Sequence, residues 1–294
     1  MPKLSLLCVT VGLLCSVAFL PVLAADGVKP AAHQKAAKGA IPDFNPDGFT
    51  AWAADRPASD DYLPHDKTTG PGPVESDPKF PYVPNGEGRQ STYRIADLTN
   101  PILKPWVKEL MKAANDDVHA GKVPFIARER CWPGGVPLWD IYNRGQPVHI
   151  IQTKDKAVMI NELFASTRHI YLNVPHTKKP KPSWYGESVG HYEGDTLVVD
   201  TIGQNDKTYV DNYRTPHTTQ IHVIERFRMV NDGKSLEVKI WVDDPGAFNM
   251  PWTARSTWRR IQTGQLIEDY CEPQNESFFG YQVAPLPTDS TPDF

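Results

Sequence analysis

The chain has 294 residues, with 35 acidic and 31 basic side chains and a net charge of −4. It carries no basic stripe and no RNA-binding or zinc-knuckle motif, which argues against a nucleic-acid partner. After residue 20 no stretch stays apolar for about 18 residues, so the rest of the chain contains no predicted membrane-spanning helix.

The first 24 residues have the pattern of a secretory signal peptide. Lys3 precedes an apolar run, and Val22-Leu23-Ala24 places a small residue at the cleavage point. A membrane anchor is the alternative, and Pro21 and the lack of a basic flank argue against it. We therefore expect a periplasmic or secreted protein that has no membrane attachment after cleavage.

Two further segments precede the main domain. Residues 25–95 are rich in Pro, Gly, Asp and Lys, which predicts an extended arm that adds little to the core. Residues 96–125 contain apolar side chains at helical spacing, and Gly121 ends the run. One amphipathic helix packed on the main domain is predicted, with its apolar positions at Leu103, Val107, Leu110, Met111 and Ala114.

Residues 126–275 are predicted to form a mainly β domain, followed by a C-terminal tail at 276–294. From about residue 147 the apolar period is two, and turn signals separate several of the segments. Nine segments have strand character: PVHIIQT, AVMINELF, RHIYLN, SVGHYEG, TLVVDTIG, TQIHVIERFRMV, SLEVKIWVDD, WTARSTWRRIQ and QLIEDYC. This pattern favours an antiparallel up-and-down barrel of eight or nine strands, with a β-sandwich as the second choice.

Glu225 is predicted to be a carboxylate on an apolar strand face. The four-residue turn NDGK pairs Val230 with Ser235, which places Glu225 opposite Ile240. Such a group is either a structural carboxylate bonded to an arginine or a strand end, or a general acid or base in a cavity. His217, in the loop before this strand, is its predicted catalytic partner.

The hairpin around Gly194 is predicted to bring a histidine and a carboxylate together. A two-residue turn places His191 and Asp200 on one face and Tyr192 on the other. The pair is either a surface pair or part of a catalytic site. Both faces are partly apolar, so the pattern leaves open which of them lines the interior.

Aromatic side chains predict a pocket for a flat or aromatic ligand. Trp252 and Trp258 fall on the inward face of the last hairpin. The predicted ligand contacts are Trp184, Tyr192, Tyr171, Trp252 and Trp258, and core packing is the alternative role for any one tryptophan.

Two cysteines, Cys131 and Cys271, remain after removal of the signal peptide. In an exported chain they most simply form one disulfide bond. A nucleophilic cysteine is the alternative, although neither cysteine has a neighbouring histidine in the sequence.

Several motifs together resemble a large family of exported bacterial proteins that mostly have no assigned activity. They are W-x-G-x-S-x-G-x-Y-E-G-D-T-L-V-V-D-T-x-G from Trp184, R-T-P-H-T at 214–218, H-V-x-E-R-F at 222–227 and D-D-P at 243–245. The resemblance implies a lipocalin-like barrel and brings no catalytic assignment. It implies importance for the motif positions Trp184, Ser188, Tyr192, Glu193, Asp200, Asp206, His217 and Glu225.

The sequence favours cofactor-free acid–base chemistry in a barrel pocket. The letters G-x-S-x-G at 186–190 lead into a hairpin rather than a hydrolase elbow, and no HExxH metal motif is present. We expect a lyase or isomerase that acts on a hydrophobic, aromatic or terpenoid-like molecule and uses no cofactor or metal. The alternative is a non-catalytic carrier of such a molecule.

Overall fold

The computed structural model describes residues 41–54, 61–62, 72, 77–80, 95–122, 131–141, 147–162, 166–263 and 266, with the backbone alone described at 61, 62 and 141. The strands are β1 (Thr50–Ala54), β2 (Asp61–Tyr62), β3 (Val148–Gln152), β4 (Lys156–Asn161), β5 (Ser166–Leu172), β6 (Glu187–Glu193), β7 (Thr196–Ile202), β8 (His222–Val230), β9 (Ser235–Asp243) and β10 (Trp252–Gln262). The helices are α1 (Pro105–His119) and α2 (Leu138–Ile141). Neither helix is long and apolar enough to cross a membrane.

Nine of the described strands close into a barrel, which confirms the predicted fold class. The order is β1-β3-β4-β5-β6-β7-β8-β9-β10, and β1 also pairs with β10. The pairs in this ring are antiparallel except β5–β6, which is parallel. A parallel pair needs a crossover connection, and residues 173–186 supply it. The barrel is therefore mixed rather than purely up-and-down.

The strand that closes the ring comes from the predicted arm. The segment QLIEDYC, predicted as the last strand, lies outside the described residues apart from Leu266. Between β10 and β3 stands β1, and all five of its residues are buried. The indole N–H of Trp52 donates to the backbone oxygen of the buried Phe44 at 3.0 Å. Phe44 and strand β1 therefore belong to the core, which corrects the prediction that residues 25–95 add little to it.

The arm prediction failed here because the mean composition of 25–95 conceals the short apolar run TAWAA. Most other residues of this segment, together with residues 1–24 and 276–294, lie outside the described residues.

Cys131 is disulfide-bonded. Cys271 also lies outside the described residues, so its pairing with Cys131 stays a prediction.

Both hairpins have the predicted registers. Glu225 lies opposite Ile240 in the β8–β9 pair, as the four-residue turn predicts. In the β6–β7 pair Asp200 lies opposite Val189, so it shares a face with His191. The other face carries Ser188 and Thr201, which are buried. His191 and Asp200 therefore lie on the outer face of the barrel, which settles the orientation that the pattern left open.

Helix α1 has the predicted position, although one of its predicted apolar positions faces solvent. Val107 and Met111 are fully buried, whereas Leu110 is 55% exposed. The indole of Trp106 donates to the backbone oxygen of Gly246 at 2.9 Å, which ties the first turn to the loop after β9. The helix therefore packs beside one end of the barrel.

Candidate functional site

A cluster of charged and polar side chains lies inside the barrel. Arg168 on β5 and Glu225 on β8 form a bidentate ion pair, with Nη1–Oε1 and Nη2–Oε2 distances of 2.7 and 2.5 Å. Their side chains are 1% and 0% exposed. Nη2 also donates to Ser188 Oγ at 3.1 Å and to Thr201 Oγ1 at 2.9 Å. The guanidinium is thus held by groups from three further strands, β6, β7 and β8.

Asp140, on the short helix α2, completes this cluster. Its side chain is fully buried, and none of the described residues donates a hydrogen bond to its carboxylate oxygens. Burial and the adjacent Glu225 carboxylate raise the pKa of Asp140 well above its usual range. Burial and Glu225 thus both favour the protonated form of Asp140, which can donate a hydrogen bond to the Glu225 carboxylate.

Glu225 is shifted in the opposite direction. Burial alone would raise the pKa of Glu225, but the guanidinium of Arg168 and the hydrogen bond from Asp140 hold it below its usual value. The prediction of His217 as the partner of Glu225 is therefore wrong, and the alternative of a carboxylate bonded to an arginine is confirmed. The Glu225 carboxylate therefore directly balances the guanidinium of Arg168.

Helix α2 and the turn before it are held in place by hydrogen bonds from side chains to the backbone. The side chain of Gln204 accepts from Val136 N–H at 2.7 Å and donates to Val136 O at 2.9 Å. Gly135 has φ +72°, and a Cβ atom there would lie 2.5 Å from Thr208 Oγ1, so the turn requires glycine. Ser256 Oγ donates to the backbone oxygen of Asp140 at 2.9 Å. These contacts hold the Asp140 carboxyl at Glu225.

Aromatic rings lie next to helix α2. Trp139 and Tyr185 meet edge to face with ring centroids 5.3 Å apart. Trp132 and Trp184 lie 5.4 Å apart. Burial raises the pKa of the Tyr185 phenol, and the nearby positive charge of Arg168 offsets part of this rise. Trp184, predicted as a ligand contact, therefore lies among aromatic rings near the polar cluster.

His217 is not the partner of Glu225, which corrects the predicted catalytic pair. Its Nδ1 lies 3.0 Å from Thr218 O and its Nε2 lies 2.7 Å from Thr208 Oγ1. A carbonyl can only accept, so Nδ1 carries the hydrogen and Nε2 accepts from the hydroxyl. Burial lowers the pKa of His217, in agreement with a neutral ring. His217 is thus a fully bonded core histidine.

Asp200 takes part in a second cluster, on the outer face. Its Oδ1 lies 2.8 Å from His222 Nε2 and 3.1 Å from His176 Nε2. The other ring nitrogen of His176 lies 3.0 Å from Glu187 Oε1. Burial alone would raise the pKa of Asp200, but the bonds from the two histidines hold it below its usual value. His191 is bonded to Glu193 instead, at 3.1 Å, so the predicted His191–Asp200 dyad does not form.

Three of the other predicted ligand contacts lie on the outer face of the barrel or fully buried in its core. Tyr171 is 45% exposed and points outward, whereas Trp252 and Trp258 are fully buried in the core. Tyr192 lies on the inner face, half-buried, and its hydroxyl accepts from Gln152 Nε2 at 2.7 Å. The prediction of Tyr171 as a ligand contact in the interior is therefore wrong. Trp252 and Trp258 have the alternative role of core packing.

An open groove of about 410 Å³ lies on the outside of the barrel across β8, β9 and β10. Its wall is mainly apolar and includes Ile224 and Trp241, beside the side chains of Arg226 and Lys239. Glu225 points to the opposite side of the same sheet, so this groove is separate from the interior cluster.

Among the residues that the structure describes, no group of three or more His, Cys, Asp or Glu side chains is arranged to hold a metal ion. No protein-family model matches the chain, and no curated protein matches its sequence.

Sequence reasoning misses six residues of the two clusters: Arg168, Asp140, Thr201, His176, Glu187 and His222. Arg168 is in phase with Ile170 and Leu172 in RHIYLN, so the period-two rule applied to Glu225 also predicts an inward side chain here. The hairpin register predicts that His222 lies on the polar outer face, and the structure confirms this position. Asp140 and His176 lie outside any periodic segment, and no pattern marks them.

The His222–Asp200 contact predicts a pH-dependent stability. The hydrogen bond to Asp200 raises the pKa of His222. A histidine with a raised folded pKa stabilises the fold below its unfolded value of about 6.5. This stabilisation is lost as pH rises through the folded value. We therefore expect the Tm difference between the wild type and His222→Asn to be largest near pH 5.5 and to shrink by pH 8.5. A difference that stays constant over this range would contradict the assignment.

Proposed function

We propose that the protein is an exported, cofactor-independent lyase or isomerase that uses acid–base chemistry on a hydrophobic, aromatic or terpenoid-like small molecule. The observation that carries this proposal is the buried Asp140 carboxyl beside the Arg168-paired Glu225 carboxylate inside the barrel, with the pKa of Asp140 raised and that of Glu225 lowered. Two adjacent carboxyls with pKa values shifted in opposite directions supply an acid and a base at the same pH.

The two carboxyls have separate roles in this proposal. Asp140 donates its proton to an oxygen of the substrate, and Glu225 removes a proton from a neighbouring carbon. In isomerisation Glu225 returns its proton to another carbon, and Asp140 regains its proton from the oxygen. In dehydration the substrate C–O bond breaks, the hydroxyl leaves as water with the Asp140 proton, and the proton taken up by Glu225 then passes to Asp140. Arg168 positions the Glu225 carboxylate through both of its oxygens. His217, Asp200 and His191 have no catalytic role here.

The charge balance supports an uncharged substrate. The guanidinium of Arg168 is already paired with Glu225, so it offers no free charge to a carboxylate or phosphate ligand. A second anion beside Glu225 would be repelled in this dry interior. The aromatic rings of Trp139 and Tyr185 next to the cluster suit a flat apolar molecule.

A second candidate is a non-catalytic carrier, and one observation favours it. The positive charge of Arg168 neutralises Glu225 completely, as in a structural buried ion pair. In that case the same barrel binds the molecule and releases it unchanged.

One experiment separates the two functions. The purified mature protein is incubated with extracts of the growth substrates of its host, and both bound and converted species are identified by mass spectrometry. Conversion supports the enzyme, and a bound but unchanged molecule supports the carrier.

Two variants test the catalytic roles on any substrate found in this way. Asp140→Asn and Glu225→Gln should each lower turnover by about 10²-fold or more, the usual contribution of an acid–base group. Glu193→Gln removes an exposed carboxylate from the outer face and should keep full activity. Circular dichroism at the assay temperature verifies that each variant is folded. Full turnover in folded Asp140→Asn would place the chemistry elsewhere.

A further inference from the structure

The crossover segment between β5 and β6 is anchored at both of its ends. At its start, Asn173 N–H donates to Gly190 O at 2.8 Å. At its end, Ser183 N–H donates to Gly203 O at 3.1 Å, and Asn205 N–H donates to Ser183 O at 2.9 Å. Residues 174–182 between these anchors are exposed or partly exposed, and they cross the outer face near β6 and β7.

His176 attaches the middle of this segment to the barrel. Its Nδ1 lies 3.0 Å from Glu187 Oε1 on β6, and its Nε2 lies 3.1 Å from Asp200 Oδ1 on β7. The backbone N–H of Thr177 also donates to Glu187 Oε1, at 2.8 Å. The ring is 20% exposed, so it is largely removed from solvent but can still exchange a proton with it.

Both contacts of His176 require a protonated ring. Neutral imidazole has one N–H donor, whereas imidazolium has two. The hydrogen bonds from Thr177 and His176 hold the pKa of Glu187 below its usual value, although burial alone would raise it. The two histidines have the same effect on Asp200. Each acceptor is therefore an ionised carboxylate, which cannot donate to a ring nitrogen.

We propose that His176 is a pH-sensitive latch that holds the segment 174–182 against the outer face of the barrel only while its ring carries both protons. Loss of one proton leaves a nitrogen lone pair facing a carboxylate. That contact then becomes repulsive, and the segment separates from either Glu187 or Asp200. The segment is closed in acid and opens as pH rises.

Every charged group around the latch is consistent with this direction. The carboxylates that face the latch are Glu187 on β6 and Asp200 on β7, and Asp243 on β9 lies opposite His222. His222 on β8 shares the same oxygen of Asp200. The lysines of the segment itself are exposed to solvent: Lys178, Lys179 and Lys181. The pKa values of Glu187 and Asp200 are both lowered, so these two carboxylates keep their charge as the pH rises.

The segment contains one bond that reports its opening. Trypsin does not cleave before proline, and Lys179 and Lys181 both precede prolines, so Lys178–Lys179 is the susceptible bond. Its cleavage rate in the folded protein is measured from pH 5.5 to 8.5 without substrate. Each rate is divided by that of a synthetic peptide with the sequence of 174–183, which removes the pH dependence of trypsin itself.

We expect the normalised rate of the wild type to rise about tenfold over this range, which corresponds to one hydrogen bond to a charged group. His176→Gln should be cleaved at the high rate at every pH. His191→Gln, an exposed histidine on the neighbouring strand, should behave like the wild type. A flat rate in the wild type, or a wild-type pH profile in His176→Gln, overturns the latch. Because no turnover is measured, either result leaves the proposed function to its own test.

Discussion

Replacing Arg168 by Met is expected to lower the free energy of unfolding by about 3–5 kcal/mol, the cost of breaking a buried ion pair. The variant leaves the Glu225 carboxylate in the core without its guanidinium partner, and Ser188 and Thr201 lose a donor. Urea denaturation at pH 7, followed by tryptophan fluorescence, measures the change.

Two further variants serve as controls for the loss of the buried ion pair. Arg226→Met breaks an exposed pair with Glu193 on the outer face and should cost no more than about 1 kcal/mol. The double variant Arg168→Met/Glu225→Gln buries no net charge and should regain much of the loss. A cost below about 1 kcal/mol for Arg168→Met alone would show that the interior is open to water.

The second large effect concerns the strand that closes the barrel. Trp52 is fully buried and bonded to Phe44, so Trp52→Ala should cost about 3–5 kcal/mol through the cavity that it leaves. The same denaturation assay applies. Phe49, one residue before β1 and 50% exposed, is the matched control, and Phe49→Ala should leave the midpoint almost unchanged. Equal and small effects of both variants would mean that strand β1 lies outside the core after all.

Register arithmetic predicts the inward position of Glu225 correctly because a hairpin fixes which residues face each other. The same arithmetic does not pair Glu225 with Arg168. It does predict an inward position for Arg168, because Arg168 alternates with the apolar residues Ile170 and Leu172. Arg168 and Glu225 lie on β5 and β8, which are separated by β6 and β7 in the sheet and meet only across the interior. A closed barrel brings such strands together, and no turn in the sequence encodes that contact.

The positions of Asp140 and His176 cannot be predicted from strand periodicity. Both lie outside the strand pattern, in segments whose path is set by contacts distant in the chain, such as those between Val136 and Gln204. Periodicity carries no information in such segments. The prediction of His217 as a partner failed for a related reason, because its position in a loop did not reveal the hydrogen bonds to Thr208 and Thr218 that occupy both ring nitrogens.

The closure of the barrel by β1 has a consequence for how the chain folds. Thr50 pairs with Gln262, so the seam joins residues more than two hundred positions apart. Synthesis from the N-terminus delivers β1 first, and its partner β10 comes last among the described strands. Until then β3 to β9 form an open sheet with unpaired edges, the state in which β proteins aggregate. Contacts of such long range also make folding slow. An intermediate that lacks β10 therefore exposes unpaired sheet edges, and a truncated chain that ends before residue 252 cannot form the β1–β10 seam.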